Sequence, residues 1–287
     1  MTEPLFRRSG GTLVGMLSVA ALPGSPTHDG TPFEAIERAV VEDAHVLAQA
    51  GFDSLLIQNT GDGPPGRDGD MATVAQLAVL GRAAVDATGL PIGVNVLKNG
   101  VETAFAVALA IGASFVRIKV YVGAVVGAEG IVEGRAMDAL AVRRRLGLDG
   151  VTILADVHDR TSRVLGEVPL TEMADWAVRH GRADGLVLTG RDVAETVGML
   201  SEVRRMQPTA VLVVGGGAQP DTVASLLALA DGVIVGSALR ATGGFEGPLL
   251  ADQAGAFVLA ARSDPDREVS VARGGSLSYG QRVRRGR

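Results

Sequence analysis

The feature that most constrains this chain is a repeat. Eight times, a short apolar run is followed by a Gly/Asn/Asp loop and then by an Ala-rich helical stretch. The apolar runs span 13–19, 54–59, 92–96, 115–120, 152–157, 185–189, 211–214 and 232–235. The helical patterns span 32–50, 71–88, 101–111, 134–145, 170–180, 193–206, 220–229 and 249–262. Strands alternating with helices build a parallel sheet, because each crossover returns the chain to the end from which the last strand started. Eight such units are the count that closes the sheet into a barrel, and 287 residues suffice for one. An open doubly wound sheet is the alternative. The count of eight disfavours it, as do glycine motifs near the end rather than after the first strand.

Punctuation and composition agree with a barrel. Pro32 and Pro220 stand at helix starts, and Gly51, Gly89, Gly112 and Gly181 follow helix ends. Hydrophobic residues make up 47% of the chain but aromatics only 3%. The core must therefore be Ala, Val, Leu and Ile, as in parallel strands buried on both faces. The expected organisation is one α/β domain, a (β/α)8 TIM barrel, over residues 1–262. A basic, disordered tail is expected over 263–287, where arginines outnumber acidic residues.

Charge and residue usage exclude several classes. The net charge of −5, with no basic face on the body of the chain, argues against nucleic-acid binding. No apolar stretch is long enough to predict a membrane span, and the N-terminus reads unlike a signal peptide. With no cysteine there are no disulfides and no thiolate chemistry, which fits a reducing, cytoplasmic setting. Four histidines without a His-x-His or Glu-x-x-His pair give no basis for a resident metal, and no cofactor is expected. A divalent ion would have only Asp156, His158 and Glu133 or Asp62 to call on. A homo-oligomer is expected from the general habit of such enzymes.

In a barrel the reactive groups sit at the C-terminal ends of the strands. The expected phosphate cradle is Gly215, Gly216 and Gly217 after the seventh run with Gly236 and Ser237 after the eighth. Glycine turns let backbone N–H groups approach an anion. Asn59, Asp62, Asn95 and Thr189 stand at other strand ends as groups that bind or orient a substrate. Period-2 alternation puts Phe115, Arg117, Lys119 and Tyr121 on one face, and Thr152, Leu154, Asp156 and His158 on one face of the next strand. Asp156 is then the partner of Lys119 or Arg117. Either this network merely plugs the barrel top, or Lys119 is an acid/base or Schiff-base amine with Asp156 as proton partner and His158 as shuttle. The segments 61–69 and 123–134 are lid candidates.

Several blocks resemble the BtpA/SgcQ family, in matching order along roughly residues 10–260. They include Leu22-Pro23-Gly24-Ser25-Pro26, Gln58-Asn59 with Asp62, and Gly93-Val94-Asn95-Val96-Leu97. Phe115-Val116-Arg117, Gly130-Ile131-Val132-Glu133-Gly134, Thr189-Gly190 and Asp231 through Ser237 continue the series. The resemblance implies a ribulose-phosphate-binding type of barrel. It also implies departures from the family pattern: Ser18 replaces a histidine, Arg160-Thr161 replace a Lys-His pair, and Lys119 replaces an asparagine. The expected function is an enzyme acting on a small phosphorylated metabolite, a sugar phosphate or nucleotide-like molecule, by isomerase, lyase or glycosidic-cleavage chemistry. The alternative is a non-catalytic assembly, biogenesis or regulatory factor, as the family name suggests.

Overall fold

The computed structural model describes residues 5–7, 10–64, 66 and 68–263. The expected tail falls outside these from residue 264 onward. Eight parallel strands close a barrel: β1 (Thr12–Ser18), β2 (Ser54–Gln58), β3 (Ile92–Asn95), β4 (Phe115–Ile118), β7 (Thr152–His158), β9 (Gly185–Leu188), β10 (Val211–Val214) and β11 (Gly232–Val235). The chain is a (β/α)8 barrel, with β1 paired to both β2 and β11 so that the sheet has no edge. The helices are α1 (Phe33–Ala50), α2 (Met71–Thr88), α3 (Val101–Ile111), α4 (Ala136–Arg145), α5 (Leu170–Asp175), α6 (Val193–Met206), α7 (Val223–Leu227) and α8 (Ala251–Arg262). Two expected helices differ. The 170–180 helix ends in a π-helical turn, Trp176–His180. Only Val223–Leu227 of 220–229 is α-helical, because Thr222 Oγ1 accepts from Gln219 N–H and folds the entry into a turn.

Alternating side chains make two cores. One lies between sheet and helices, built from residues such as Leu13, Ile57, Val94, Val116, Ile153 and Leu212. The other fills the barrel: Val14, Met16, Leu56, Phe115, Leu154, Val187, Val213 and Ile234. Phe6, from the turn Leu5–Arg7, closes the floor edge-on to Phe115 at 5.2 Å. Gly93 makes room for this plug, since a Cβ there would stand 2.1 Å from the Phe115 ring.

At the strand N-termini the same device appears three times. Asp53, Asp184 and Asp231, each just before a strand, accept the N–H of Leu13, Ile153 and Leu212 on the neighbouring strand at 2.7–2.8 Å. These rim N–H groups would otherwise lack ladder partners. Arg262, Arg143 and Arg204 from the helix layer pair with the same carboxylates.

The segment 123–134 is a hairpin, β5 (Ala124–Gly127) with β6 (Gly130–Glu133). It joins β8 (Arg163–Val164) in a three-stranded antiparallel sheet outside the barrel wall.

Candidate functional site

At the C-terminal mouth the barrel interior turns from apolar to ionic. Arg117, two residues beyond Phe115 on β4, is buried and forms a bidentate pair with Asp156 on β7, both contacts 2.9 Å. Burial works against its charge and Asp156 more than compensates, so the guanidinium is held more firmly protonated than usual. Lys119 Nζ lies 3.2 Å from Asp156 Oδ2 and 3.2 Å from Asp159 Oδ1. Lys98 Nζ donates to Thr161 Oγ1 at 2.9 Å and sits 3.6 Å from Asp159 and 3.7 Å from Glu129. Cations and carboxylates thus alternate from Arg117 through Asp156, Lys119, Asp159 and Lys98 to Glu129. Burial would raise the Asp159 carboxyl, but Lys119, the Thr161 hydroxyl and Lys98 outweigh it and hold it well below the usual carboxylate range.

These groups open on a cavity of about 330 Å³. Its ionic lining is Lys98, Arg117, Lys119 and Arg160 against Glu129 and Asp159. Adding Asp156 beneath leaves one surplus positive charge. The opposite wall is Gly215, Gly216, Gly217, Gly236 and Ser237. Gly216 and Gly217 have φ of +152° and +83°, in or near the range that favours glycine. No hydrogen bond among the described residues uses the Gly216, Gly217 or Ser237 N–H. Arg160 reaches over this turn, so that a Cβ on Gly217 would lie 3.3 Å from its Nη1. Gly215 has a further constraint: a Cβ would meet Arg117 Nη2 at 2.6 Å and Thr189 Oγ1 at 2.4 Å. Thr189 lines the cavity with a buried hydroxyl that no described residue satisfies.

Not all the expected site residues converge here. Asn59 and Asp62 bond to each other at 2.9 Å. They also hold the backbone N–H groups of Leu97 and Leu22 at 2.8 and 2.9 Å and line a separate surface cleft. Asn95 lies below the cavity and donates to Arg117 O at 2.7 Å, positioning β4.

The alternation expected on β7 also breaks. Asp156 pairs with Val187 but His158 with Leu188, so Val157 is an extra residue, a β-bulge. His158 does not line the cavity: its Nδ1 is 2.8 Å from Thr189 O, and it borders a void of about 20 Å³ beside Asp156 and Lys119. Tyr121 leaves the expected face because β4 ends at Ile118. It packs in the helix layer and donates its hydroxyl to Gly181 O, and burial pushes the phenol up to about 12.

The sequence marks Lys98 and Asp159 only as polar residues at strand ends, without a role, and does not single out Glu129. Lys98 stands three residues beyond Asn95 and Asp159 next to His158, and alternation along a strand gives neither a partner. Glu129 sits in the β5–β6 turn, and nothing in the sequence signals that this turn reaches the mouth. Among the described residues no group of three or more His, Cys, Asp or Glu could hold a metal ion. No helix among them is long and apolar enough to cross a membrane.

Among solved structures, tryptophan synthase of Mycobacterium tuberculosis matches 91% of this chain and 98% of its own, with TM-score 0.59 and 18% identity. Orotidine 5′-phosphate decarboxylase of Pyrococcus horikoshii matches 88% of this chain and 100% of its own, with TM-score 0.52 and 14% identity. Both likenesses are of fold. In sequence, an uncharacterised protein of Thermococcus kodakarensis is 34% identical over 84% of this chain and 92% of its own length. The photosystem I biogenesis protein BtpA of Synechocystis is 32% identical over 80% of this chain and 81% of its own. The BtpA family profile matches residues 10–263, and the chain belongs to the BtpA family.

Proposed function

We propose that the chain is an enzyme that binds a small phosphorylated metabolite at the barrel mouth and performs acid–base chemistry on it. One observation carries this reading: the cavity has two glycine turns on one wall and Lys119, braced by carboxylates, on the other. The N–H groups of Gly216, Gly217 and Ser237 take the phosphate, with Arg160 as its countercharge. The surplus positive charge of the cavity favours a dianionic group.

The Lys119 ammonium, between Asp156 and Asp159, is placed to donate a proton or to oppose negative charge developing on substrate. Isomerisation, carbon–carbon cleavage and glycosidic cleavage all use such a group. Arg117 and Asp156 position Lys119, while Thr189 offers its hydroxyl to substrate.

Thermal stability in the presence of phosphate esters and their dephosphorylated forms tests the reading. Only the esters are expected to raise Tm, by mass action. Ser237→Asp, which puts a carboxylate in the cradle, should abolish that rise. Lys119→Ala should keep it while turnover falls by about 10²–10⁴. Ester binding that survives Ser237→Asp unchanged would remove the cradle assignment. A second reading, a non-catalytic assembly factor, is favoured by the name of the Synechocystis relative. It predicts no shift with any ester and retention of a protein partner on purification.

A further inference from the structure

The cavity just described has a larger neighbour. A chamber of about 860 Å³ lies between α1, the loop after β1 and the loop after β11. Thr60 and Phe245 line both spaces and form their common rim. Phe245 is 45% exposed, an aromatic ring left largely unpacked at the passage.

The two spaces have opposite electrostatic character. The smaller carries surplus positive charge. The larger is lined by Asp29, Glu42, Asp43 and Glu246 against a single cation, Arg240. That cation is already committed, donating to Asp43 Oδ2 at 2.6 Å. Exposed apolar surface in the chamber comes from Ala20, Ala39, Phe245 and Pro248. Two polar atoms of its wall are buried without a partner among the described residues, Ser18 Oγ and Arg240 Nε. Arg240 itself is 4% exposed.

We propose that this chamber is a second subsite, which takes the non-phosphorylated end of the substrate. The class of ligand follows from the charge pattern: a phosphomonoester whose far end is a ring-sized, largely apolar group, neutral or cationic. A second phosphate at that end is rejected, because the uncompensated carboxylates of the chamber repel it. The ligand passes between Thr60 and Phe245, whose ring covers it. This inference rests on the phosphate reading of the smaller cavity and narrows it from phosphate esters in general to elongated ones with a single charged end.

Calorimetric titration of the full chain with three probes tests it: ribose 5-phosphate, adenosine 5′-monophosphate and ribose 1,5-bisphosphate. Adenosine 5′-monophosphate should bind about tenfold or more tighter than ribose 5-phosphate. The bisphosphate should gain nothing over ribose 5-phosphate. Ala39→Trp fills the chamber from an exposed position of α1. It should remove the advantage of the nucleotide and leave ribose 5-phosphate binding within roughly twofold. Equal affinity for the nucleotide and the short ester overturns the subsite while leaving the cradle intact. So does an equal loss for both in Ala39→Trp. Failure of all three probes to bind overturns the cradle, and the subsite with it.

Discussion

The two ends of the barrel use the same residue pair for different ends. At the floor, Asp184 and Asp231 meet Arg143 and Arg204 at 2.7 and 2.8 Å, with side chains still partly open to water. Each carboxylate also caps a strand N–H. At the mouth, Asp156 meets Arg117 at 2.9 Å with its side chain fully excluded from solvent, and shares its second oxygen with Lys119. A solvated pair is worth little by itself, so the floor carboxylates serve mainly as hydrogen-bond acceptors for the rim. A buried pair becomes costly once one partner is lost, so the mouth is a committed network. An Arg–Asp pair therefore says little about role until its strand end and burial are known.

Substitutions that separate the two ends test this contrast. Asp156→Ala leaves two buried cations without their shared counterion and should cost about 3–5 kcal/mol in urea denaturation. Phosphate-ester binding should persist, as in Lys119→Ala, because the glycine cradle and Arg160 do not depend on Asp156, while turnover falls with the misplaced Lys119. A loss under about 1 kcal/mol would mean that the mouth behaves like the floor.

Asp159→Asn should cost roughly 1–3 kcal/mol near neutral pH, since it removes a charge-assisted partner of Lys119 and Lys98. It should also change the acid limb. A carboxyl held below its unfolded value of 3.8 contributes stability that is fully present above that pH. That contribution is lost as the pH falls through the lower folded value. The wild-type denaturation midpoint should therefore fall more steeply below about pH 4 than that of the variant. Parallel curves would show that the lysines do not hold Asp159.

Asp184→Ala should cost about 1–2 kcal/mol through the N–H of Ile153 and leave ester binding unchanged. An altered affinity would mean that floor and mouth are coupled. The smallest effect is expected from Tyr121→Phe, about 1 kcal/mol for the hydrogen bond to Gly181. Ligand affinity should not change, because the ring lies in the helix layer. A change in affinity would return Tyr121 to the barrel interior, where alternation alone had put it.

These substitutions also mark how far the site was legible beforehand. Arg117 and Asp156 could be read as partners because β4 and β7 keep strict alternation as far as those residues, and Lys119 stands one residue beyond the end of β4. The two glycine turns could be expected side by side because they end consecutive strands, and those strands pair in the barrel. Reading failed where the regular pattern stopped. The bulge at Val157 displaced His158, and the early end of β4 released Tyr121. Asn59, Asp62 and Asn95 had the right residue types at the right strand ends. Each is occupied with backbone groups of its own neighbourhood, a use that composition cannot distinguish from substrate binding.

What the sequence determined by itself was the repeating unit and therefore the barrel. Burial of alternating and continuous apolar runs is a local property, and eight repeats leave one efficient way to satisfy it. It also determined at which end the glycine turns and the cluster of Arg117, Lys119 and Asp156 gather, because these residues lie at or just after the C-terminal ends of the strands. Tertiary structure alone decided which carboxylate neutralises which cation, that the hairpin turn at Glu129 closes on Lys98, and that a second chamber opens beside the first. Those outcomes depend on contacts between residues far apart in the chain. Their energies are set by distance and solvent exclusion, and neither exists until the barrel has closed.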